Sequence, residues 1–182
     1  MAVTAARNTW SEQTVKTLYV PMAADAVIYQ GAMVCISADG YAVNAADTAN
    51  YRFAGICEAD PRRPGVSTFD NSGGAAADMW VLLRVKGRAR YGLGDRTPSQ
   101  DMLMACVSIS DNETVGVHPW DTVNDIRCGR IVKLPATTIA LDPDADFAAD
   151  EVEVEIEQMC YTWSGDVTTT TLAPTTTTTT QI

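Results

Sequence analysis

The stretch Gly31-Ala-Met-Val-Cys-Ile-Ser-Ala-Asp-Gly-Tyr-Ala-Val43 decides the fold class of this chain. An apolar run ends at Ile36, a polar turn sequence follows, and a second apolar run starts at Tyr41. Asp39 and Gly40 are residue types that supply the positive φ angles of a tight turn between antiparallel strands. The stretch therefore predicts a β-hairpin.

The same alternation of short apolar runs and turn residues continues on both sides of the hairpin. Runs rich in Val, Ile, Tyr and Phe recur between clusters of Gly, Asp, Asn and Pro, which is typical of antiparallel β-structure. Strands are predicted over residues 52–57, 79–91, 103–108, 113–117, 127–133 and 151–157. The run 79–91 is expected to be one strand that crosses the core and bends at Gly87. We therefore predict an all-β fold, a small antiparallel β-barrel or β-sandwich-like domain.

The two ends of the chain differ from this domain in composition. Residues 1–18 show no sustained periodicity, which predicts an extended N-terminal arm. Residues 19–163 are assigned to the β-rich domain, and residues 164–182 form a Thr-rich, low-complexity tail. Such a tail is either an extended stalk or a strand added to the sheet of a neighbouring subunit. Trp10 and Tyr19 need a partner surface, and we expect the arm to order and bury them on docking.

The charge of the chain argues against several classes of partner. The 13 Lys and Arg residues are outnumbered by 23 Asp and Glu residues, and the formal net charge is −10. Such a field repels nucleic-acid phosphates and anionic lipids, so neither nucleic acid nor a membrane is an expected partner. The sequence shows no signal peptide and no apolar run of the ~18 residues that a membrane helix needs, which predicts a soluble protein made in the cytosol.

The pattern of the cysteines predicts that they pack in the core and do not bind metal or act as nucleophiles. The chain has 5 cysteines at wide spacings and no C-x-x-C pair: Cys35, Cys57, Cys106, Cys128 and Cys160. An odd number without a metal-binding spacing predicts buried free thiols that behave as small apolar side chains. A reactive or metal-binding thiol is the alternative.

Residues that could perform catalysis are sparse. His118 is the only imidazole, and the proline that follows it favours a loop position beside Trp120 over the role of a general base. The acidic segment 142–146 and Glu153 share part of the spacing of a calcium loop, but Phe147 stands where that loop needs glycine. We predict no catalytic residue, no cofactor and no metal ion, and therefore no enzyme. A hydrolase built on a cysteine and His118 is the alternative.

Charged residues of one sign alternate along two predicted strands, as expected for one face of each strand. The basic stripe consists of Arg84, Lys86, Arg88 and Arg90, and the acidic stripe consists of Glu151, Glu153, Glu155 and Glu157. Each stripe is either a solvated face or one side of a set of ion pairs, formed across strands or across a subunit boundary. The basic stripe, Trp10 and Tyr19 are the candidate partner-binding residues.

Several short motifs occur in an order that resembles the capsid cement, or head decoration, proteins of tailed bacteriophages. The motifs are Gly31-Ala-Met-Val34, Asp39-Gly-Tyr-Ala42, Phe53-Ala-Gly-Ile56, Asp70-Asn-Ser-Gly-Gly74 and the spacing from Arg84 to Gly87 at the end of a strand. Segments starting at Asp111 and Cys128 are also similar to that family. The resemblance covers roughly residues 27–158 and leaves out the Thr-rich tail.

The resemblance implies a compact β-barrel-like domain, without enzymatic activity, on the outer capsid surface of a virion. There the domain would bridge subunits of the major capsid protein, often as a homotrimer, and stabilise the icosahedral head after the shell expands. The alternative is a head fibre or host-surface attachment module. In that alternative, Trp80, Trp120 or Trp163 binds glycan and the Thr-rich tail is a stalk.

Overall fold

A computed structural model of the protein describes residues 17–94, 96–117, 122–135 and 148–156. Within these ranges the chain forms twelve strands and one short 3-10 helix, Gln100–Met102, so the all-β prediction is confirmed. The strands are β1 (Thr17–Pro21), β2 (Val27–Tyr29), β3 (Met33–Ile36), β4 (Ala42–Asn44), β5 (Arg52–Cys57), β6 (Thr68–Asp70), β7 (Trp80–Arg84), β8 (Gly87–Gly92), β9 (Cys106–Ile109), β10 (Val115–Val117), β11 (Arg127–Lys133) and β12 (Glu151–Ile156). The described ranges contain no helix that is long and apolar enough to cross a bilayer.

The strands form three antiparallel sheets. The first sheet has the order β1-β7-β5-β3-β4, the second sheet has the order β10-β9-β11-β12-β8, and β2 pairs with β6 in a small third sheet. One parallel bridge joins Met22 to Ala42 across the edges of the first sheet, and another joins Gly92 to Thr114 across the edges of the second. In the described ranges these edges share no ladder, so neither sheet is a closed barrel.

Two apolar clusters lie on the two faces of the first sheet. Met33 and Cys35 belong to the cluster shared with the second sheet, which also contains Tyr91. Val34, between them, belongs to the other cluster, together with Phe69 of the small sheet. Because side chains alternate between the two faces of a strand, a sheet buried on both faces requires the uninterrupted apolar run seen in β3.

The predicted hairpin is confirmed, with one correction to its turn. Ile36 of β3 pairs with Ala42 of β4, and five residues connect them. Gly40 has a φ of +86°, but Asp39 is not among the residues with positive φ. The amide of Gly40 donates to the carbonyl of Ser37 at 3.0 Å, so the connection is a longer loop with one left-handed residue.

The connection between β7 and β8 carries the chain from the first sheet to the second. β7 ends at Arg84, and β8 starts at Gly87. The prediction of one strand bending at Gly87 is therefore wrong, because the run forms two strands in different sheets. The break also separates Arg84 from the other members of the basic stripe.

The remaining strand predictions differ in accuracy. Strands β5 and β11 have the predicted bounds, and β9 and β10 are each two residues shorter than predicted. β12 has the predicted start, while its predicted end at Glu157 lies outside the described residues. Strands β1, β2 and β6 were not predicted, because they have three to five residues each and show no clear alternation. β1 begins two residues before the predicted start of the domain at position 19.

Candidate interaction surface

Asp60 is the centre of a polar cluster beside β1 and β7. Its Oδ1 atom accepts hydrogen bonds from the Tyr19 hydroxyl and from the backbone amide of Arg62, both at 2.9 Å. Its Oδ2 atom accepts a hydrogen bond from Nε of Arg63 at 3.1 Å. The bond to the Arg62 amide is an Asx turn, which an aspartate before Pro61 favours. The residue is only 3% exposed, so one carboxylate holds a strand and a loop together.

The hydrogen bonds keep this carboxylate ionised. Burial raises the pKa of Asp60, but the hydrogen bonds from Arg62, Tyr19 and Arg63 and the charge of Arg62 outweigh it, and the pKa falls from 3.8 to about 2. A carboxylate that accepts several hydrogen bonds is expected to behave in this way. Asp60 is therefore a fixed negative charge at neutral pH, and both arginines are organised around it.

The two arginines also contact aromatic rings and backbone. The guanidinium of Arg62 lies over the Tyr19 ring, 3.6 Å from its centroid, and that of Arg63 lies 4.8 Å from the centroid of Phe69. Nη2 of Arg63 donates to the backbone carbonyl of Trp80 at 2.6 Å. Because a guanidinium is planar, stacking on a ring fixes the direction of its edges. The cluster therefore presents Arg62 in a defined orientation.

The cluster lines an open groove of about 590 Å³ on the protein surface. In the β1–β7 ladder Tyr19 is opposite Leu82 and Pro21 is opposite Trp80, so Tyr19 and Trp80 lie on the same face. Trp80 is 47% exposed. We call this surface the aromatic–cation groove. Its lining residues are Tyr19, Asp60, Arg62, Arg63, Asp78, Met79 and Trp80.

Of the predicted partner-binding residues that the structure describes, Tyr19 alone lies in this groove. Its hydroxyl and its ring have partners within the domain, so Tyr19 belongs to a strand and does not depend on a docking arm for contacts. Trp10 lies outside the described residues. Asp60, Arg62 and Arg63 were not predicted as site residues, although an aspartate, a proline and two arginines in one turn are a signal that could have identified them.

Arg84 does not lie on an exposed stripe, contrary to the prediction. It is 1% exposed, and its Nε atom lies 3.3 Å from Oε2 of Glu58. In the part of the chain that the structure describes, its Nη2 atom is buried and has no hydrogen-bond partner. Lys86 is exposed in the connection between the two sheets. The prediction of a four-residue basic stripe is therefore wrong, since only Arg88 and Arg90 share a strand.

The pairing of the two charged stripes across strands is confirmed for Arg88, and Arg90 lies opposite the acidic strand. Arg88 is opposite Glu155 and Arg90 is opposite Glu153 in the β8–β12 ladder. Nη1 of Arg88 also lies 3.6 Å from Oε1 of Glu153, a diagonal ion pair. Ion pairs of this type on one face mainly fix the register of a sheet. Glu157 lies outside the described residues.

The cysteines in the described ranges are free, and most are buried. Cys35, Cys57 and Cys128 are buried and Cys106 is half-buried. Burial raises the pKa of Cys35 to about 12 and also raises the pKa values of Cys57 and Cys128. The prediction of buried free thiols is confirmed for these three, which stay protonated at neutral pH and are poor nucleophiles. Cys160 lies outside the described residues.

The other residues considered for chemistry or for glycan binding fall mostly outside the described ranges. They are His118, Trp120, residues 142–146, Phe147 and Trp163. In the described ranges no three His, Cys, Asp or Glu side chains are placed to hold a metal ion. No protein-family model, curated protein or solved structure matches this chain. The aromatic–cation groove is therefore the candidate functional site, on geometry alone.

Proposed function

We propose that this chain is a structural protein that decorates and stabilises an icosahedral bacteriophage capsid. It would bind the outer capsid surface of the virion as a homotrimer or another homo-oligomer and bridge subunits of the major capsid protein, with no enzymatic activity. The single observation that carries this proposal is the order of the cement-protein motifs along one β-domain. Their key residues occupy positions where the backbone of this fold requires them.

Gly55, in the motif Phe53-Ala-Gly-Ile56, is one such residue. Its φ is +147°, and a Cβ atom there would lie 2.5 Å from the carbonyl oxygen of Arg84. A side chain at this position would separate β5 from β7, so the motif needs glycine for the first sheet to form. The motif is thus a requirement of the fold and not a chance run of small residues.

The Asp70-Asn-Ser-Gly-Gly74 motif has a similar structural role. Nδ2 of Asn71 donates to the carbonyls of Ala23 and Ala75, at 2.8 and 3.0 Å, and joins the chain before β2 to the loop after β6. A Cβ atom on Gly74 would overlap Oδ1 of Asn71. This turn therefore depends on its Asn and Gly together, so the motif has a structural role in this chain.

The aromatic–cation groove supplies a surface suited to binding another protein. Tryptophan, tyrosine and arginine are the residue types that contribute most energy in protein interfaces. Here Trp80, Tyr19 and Arg62 share one surface, and hydrogen bonds to Asp60 hold two of them in place before any partner arrives. Pre-organised side chains lose less conformational entropy on binding, which favours a docking role.

Decoration would stabilise a head by mass action. A protein that binds across subunits of the intact shell, and not to separated subunits, shifts the equilibrium toward the intact shell. Many copies on one particle then resist the outward pressure of packaged DNA together, even when each contact is weak. This mechanism needs a rigid domain with a specific surface and needs no reactive group.

The test is to mix the purified protein with undecorated, expanded heads of its phage. We expect saturable binding and heads that withstand more heat or chelator than undecorated heads. Unexpanded heads are the matched control and should bind less. Absence of saturable binding to expanded heads, with the protein folded by circular dichroism, would contradict the proposal.

A second candidate is a head fibre or a host-surface module that binds glycan, with the Thr-rich tail as a stalk. The observation in its favour is the exposed indole of Trp80 beside Arg62 and Asp78, since sugars stack on exposed aromatic rings. Trp120 and Trp163 lie outside the described residues. Binding on a glycan array that is lost in Trp80→Ala, together with no binding to heads, would favour this candidate.

A further inference from the structure

The aromatic–cation groove offers one accessible guanidinium in a fixed orientation. The Arg62 side chain is 64% exposed, although its planar group lies on Tyr19 and its Nε atom lies 3.5 Å from Oδ1 of Asp60. Stacking covers one face of the group and leaves its outer edge toward solvent. Such an edge matches a carboxylate, which it can bind through two parallel hydrogen bonds.

The second carboxylate of the groove restricts the kind of anion that fits. Asp60 is buried beneath the arginines, but Asp78 is exposed, and its Oδ2 atom accepts a hydrogen bond from the amide of Ala75 at 2.8 Å. A polyanion that filled the groove would bring negative charge against Asp78. The chain as a whole also carries a net charge of −10. A single carboxylate near Arg62 therefore fits better than a nucleic-acid backbone.

An apolar contact is available beside this cation. Trp80 exposes half of its surface in the groove, and its backbone is fixed by the hydrogen bond from Arg63. Val66 is exposed in the loop that carries Arg62 and Arg63, where its amide donates to the carbonyl of Arg63 at 3.2 Å. A ligand that contacts both the Arg62 guanidinium and the Trp80 ring needs an acidic group and an apolar side chain close together. Such a pair is found on an extended protein segment.

Resting on the proposed function, we infer that the aromatic–cation groove binds an acidic segment of the major capsid protein. One carboxylate of that segment pairs with the outer edge of Arg62. The neighbouring apolar side chain of the segment packs against Trp80. Asp60 does not touch the segment; it is a positioning residue that fixes Arg62 and Tyr19.

Binding to expanded heads tests this inference with four variants. Arg62→Gln and Trp80→Ala should each weaken binding about tenfold, since truncation of a central Arg or Trp often has an effect of this size. Arg62→Lys keeps the charge but loses the planar edge, and should fall between wild type and Arg62→Gln. Arg52→Gln removes one exposed cation of the same sheet outside the groove and should bind like wild type. Wild-type binding should also depend more on salt than that of Arg62→Gln.

A second experiment tests the chemistry without heads. Capped peptides that alternate Glu with Leu, and their Gln counterparts, are titrated into the full chain while the indole N–H signal of Trp80 is followed by NMR. The Glu peptides should shift this signal and the Gln peptides should not. Equal shifts from both peptides, or no shift from either, would overturn the inference.

The two proposals fail in different ways. If the wild-type protein binds heads and the Arg62→Gln and Trp80→Ala variants bind equally well, the inference about the groove is wrong. The proposed function is then unaffected. If the wild-type protein does not bind expanded heads, the proposed function is wrong, and the major capsid protein is then not the partner. The peptide titration then decides whether the groove recognises a carboxylate beside an apolar side chain.

Discussion

The Tyr19 hydroxyl donates a 2.9 Å hydrogen bond to the carboxylate of Asp60, across 41 residues of chain. The bond joins edge strand β1 to the loop that follows β5, so the groove forms only when both elements are in place. Because the same carboxylate holds both arginines, the shape of the candidate interface depends on one charged residue. The stability of the fold and the shape of the groove are therefore linked through Asp60.

Asp60→Asn should lower the melting temperature and reduce its dependence on acid. The folded pKa of Asp60 is about 2, below its ordinary value of 3.8, so the native state favours the ionised form. This contribution to stability is complete above about pH 4 and disappears as the pH falls through 4 toward 2. Asparagine has no such charge, so melting curves of the variant should lose that part of the pH dependence.

Asp101→Asn is the matched control, because Asp101 is exposed and accepts a local hydrogen bond from nearby Ser99. It should leave the melting temperature and the acid profile close to wild type. An Asp60→Asn variant with an unchanged acid profile would show that Asp60 does not hold the cluster together.

Removing the charge of Glu58 should destabilise the protein more than replacing its buried partner. Glu58→Gln leaves the guanidinium of Arg84 buried beside a neutral group, and loss of one partner from a buried pair costs about 3 kcal/mol of unfolding free energy. Arg84→Met removes the buried charge, while Glu58 is exposed enough to be solvated. Urea unfolding of both variants measures the difference, and a larger loss in Arg84→Met would contradict it.

The sequence predicted the strands well where one pattern continued long enough to be read. β12 alternates Glu with Val or Ile and has all its apolar residues buried, as expected for a half-exposed strand. The prediction of a basic stripe was wrong because alternation identifies a face only within one strand, and the chain leaves the first sheet after Arg84. Burial of Arg84 depends on tertiary packing, which local pattern does not contain.

The candidate site was harder to predict than the fold. Tyr19 was identified, but as a residue that becomes buried when the arm docks, because no local pattern shows that β1 pairs with β7. Asp60, Arg62 and Arg63 lie in a turn, and turn sequences predict backbone shape but not which distant ring the side chains contact. The groove arises from contacts between residues tens of positions apart, so it could be found only in the folded chain.

Gly129→Ala should cost about 3 kcal/mol of stability, because the cost comes from steric overlap between strands. A Cβ atom there would overlap the carbonyl oxygen of Glu155 and lie 2.9 Å from Cγ1 of Val154, both in β12. Gly40→Ala is the control, since its φ is +86° but nothing lies within 4 Å of the added carbon. That change should cost about 1 kcal/mol through backbone strain alone. Equal losses in urea unfolding would argue against close packing of β11 on β12.

The ion pair between Arg88 and Glu153 should contribute little energy. Arg88 is 53% exposed and the two charges are 3.6 Å apart, so solvent screens their attraction. A double-mutant cycle with Arg88→Gln and Glu153→Gln should give a coupling of about 0.5 kcal/mol that decreases in high salt. The same cycle on Arg88 and Asp101 should give no coupling. A coupling well above 1 kcal/mol would mean that ion pairs between the two stripes stabilise the fold and do not only fix the register of the strands.

Native thiol labelling should separate the cysteines by burial. In a Cys160→Ser variant treated with iodoacetamide near pH 8, we expect Cys106 to be alkylated first, because it is half-buried in a short strand. Cys35, Cys57 and Cys128 should react only as the protein unfolds, since burial excludes the reagent and raises the pKa of each thiol. Mass spectrometry of digested samples, with urea-unfolded protein as the control, measures the order. Fast labelling of Cys35 or Cys128 in folded protein would mean that the two five-stranded sheets open readily, and a domain that opens in this way would be poorly suited to clamping a shell under pressure.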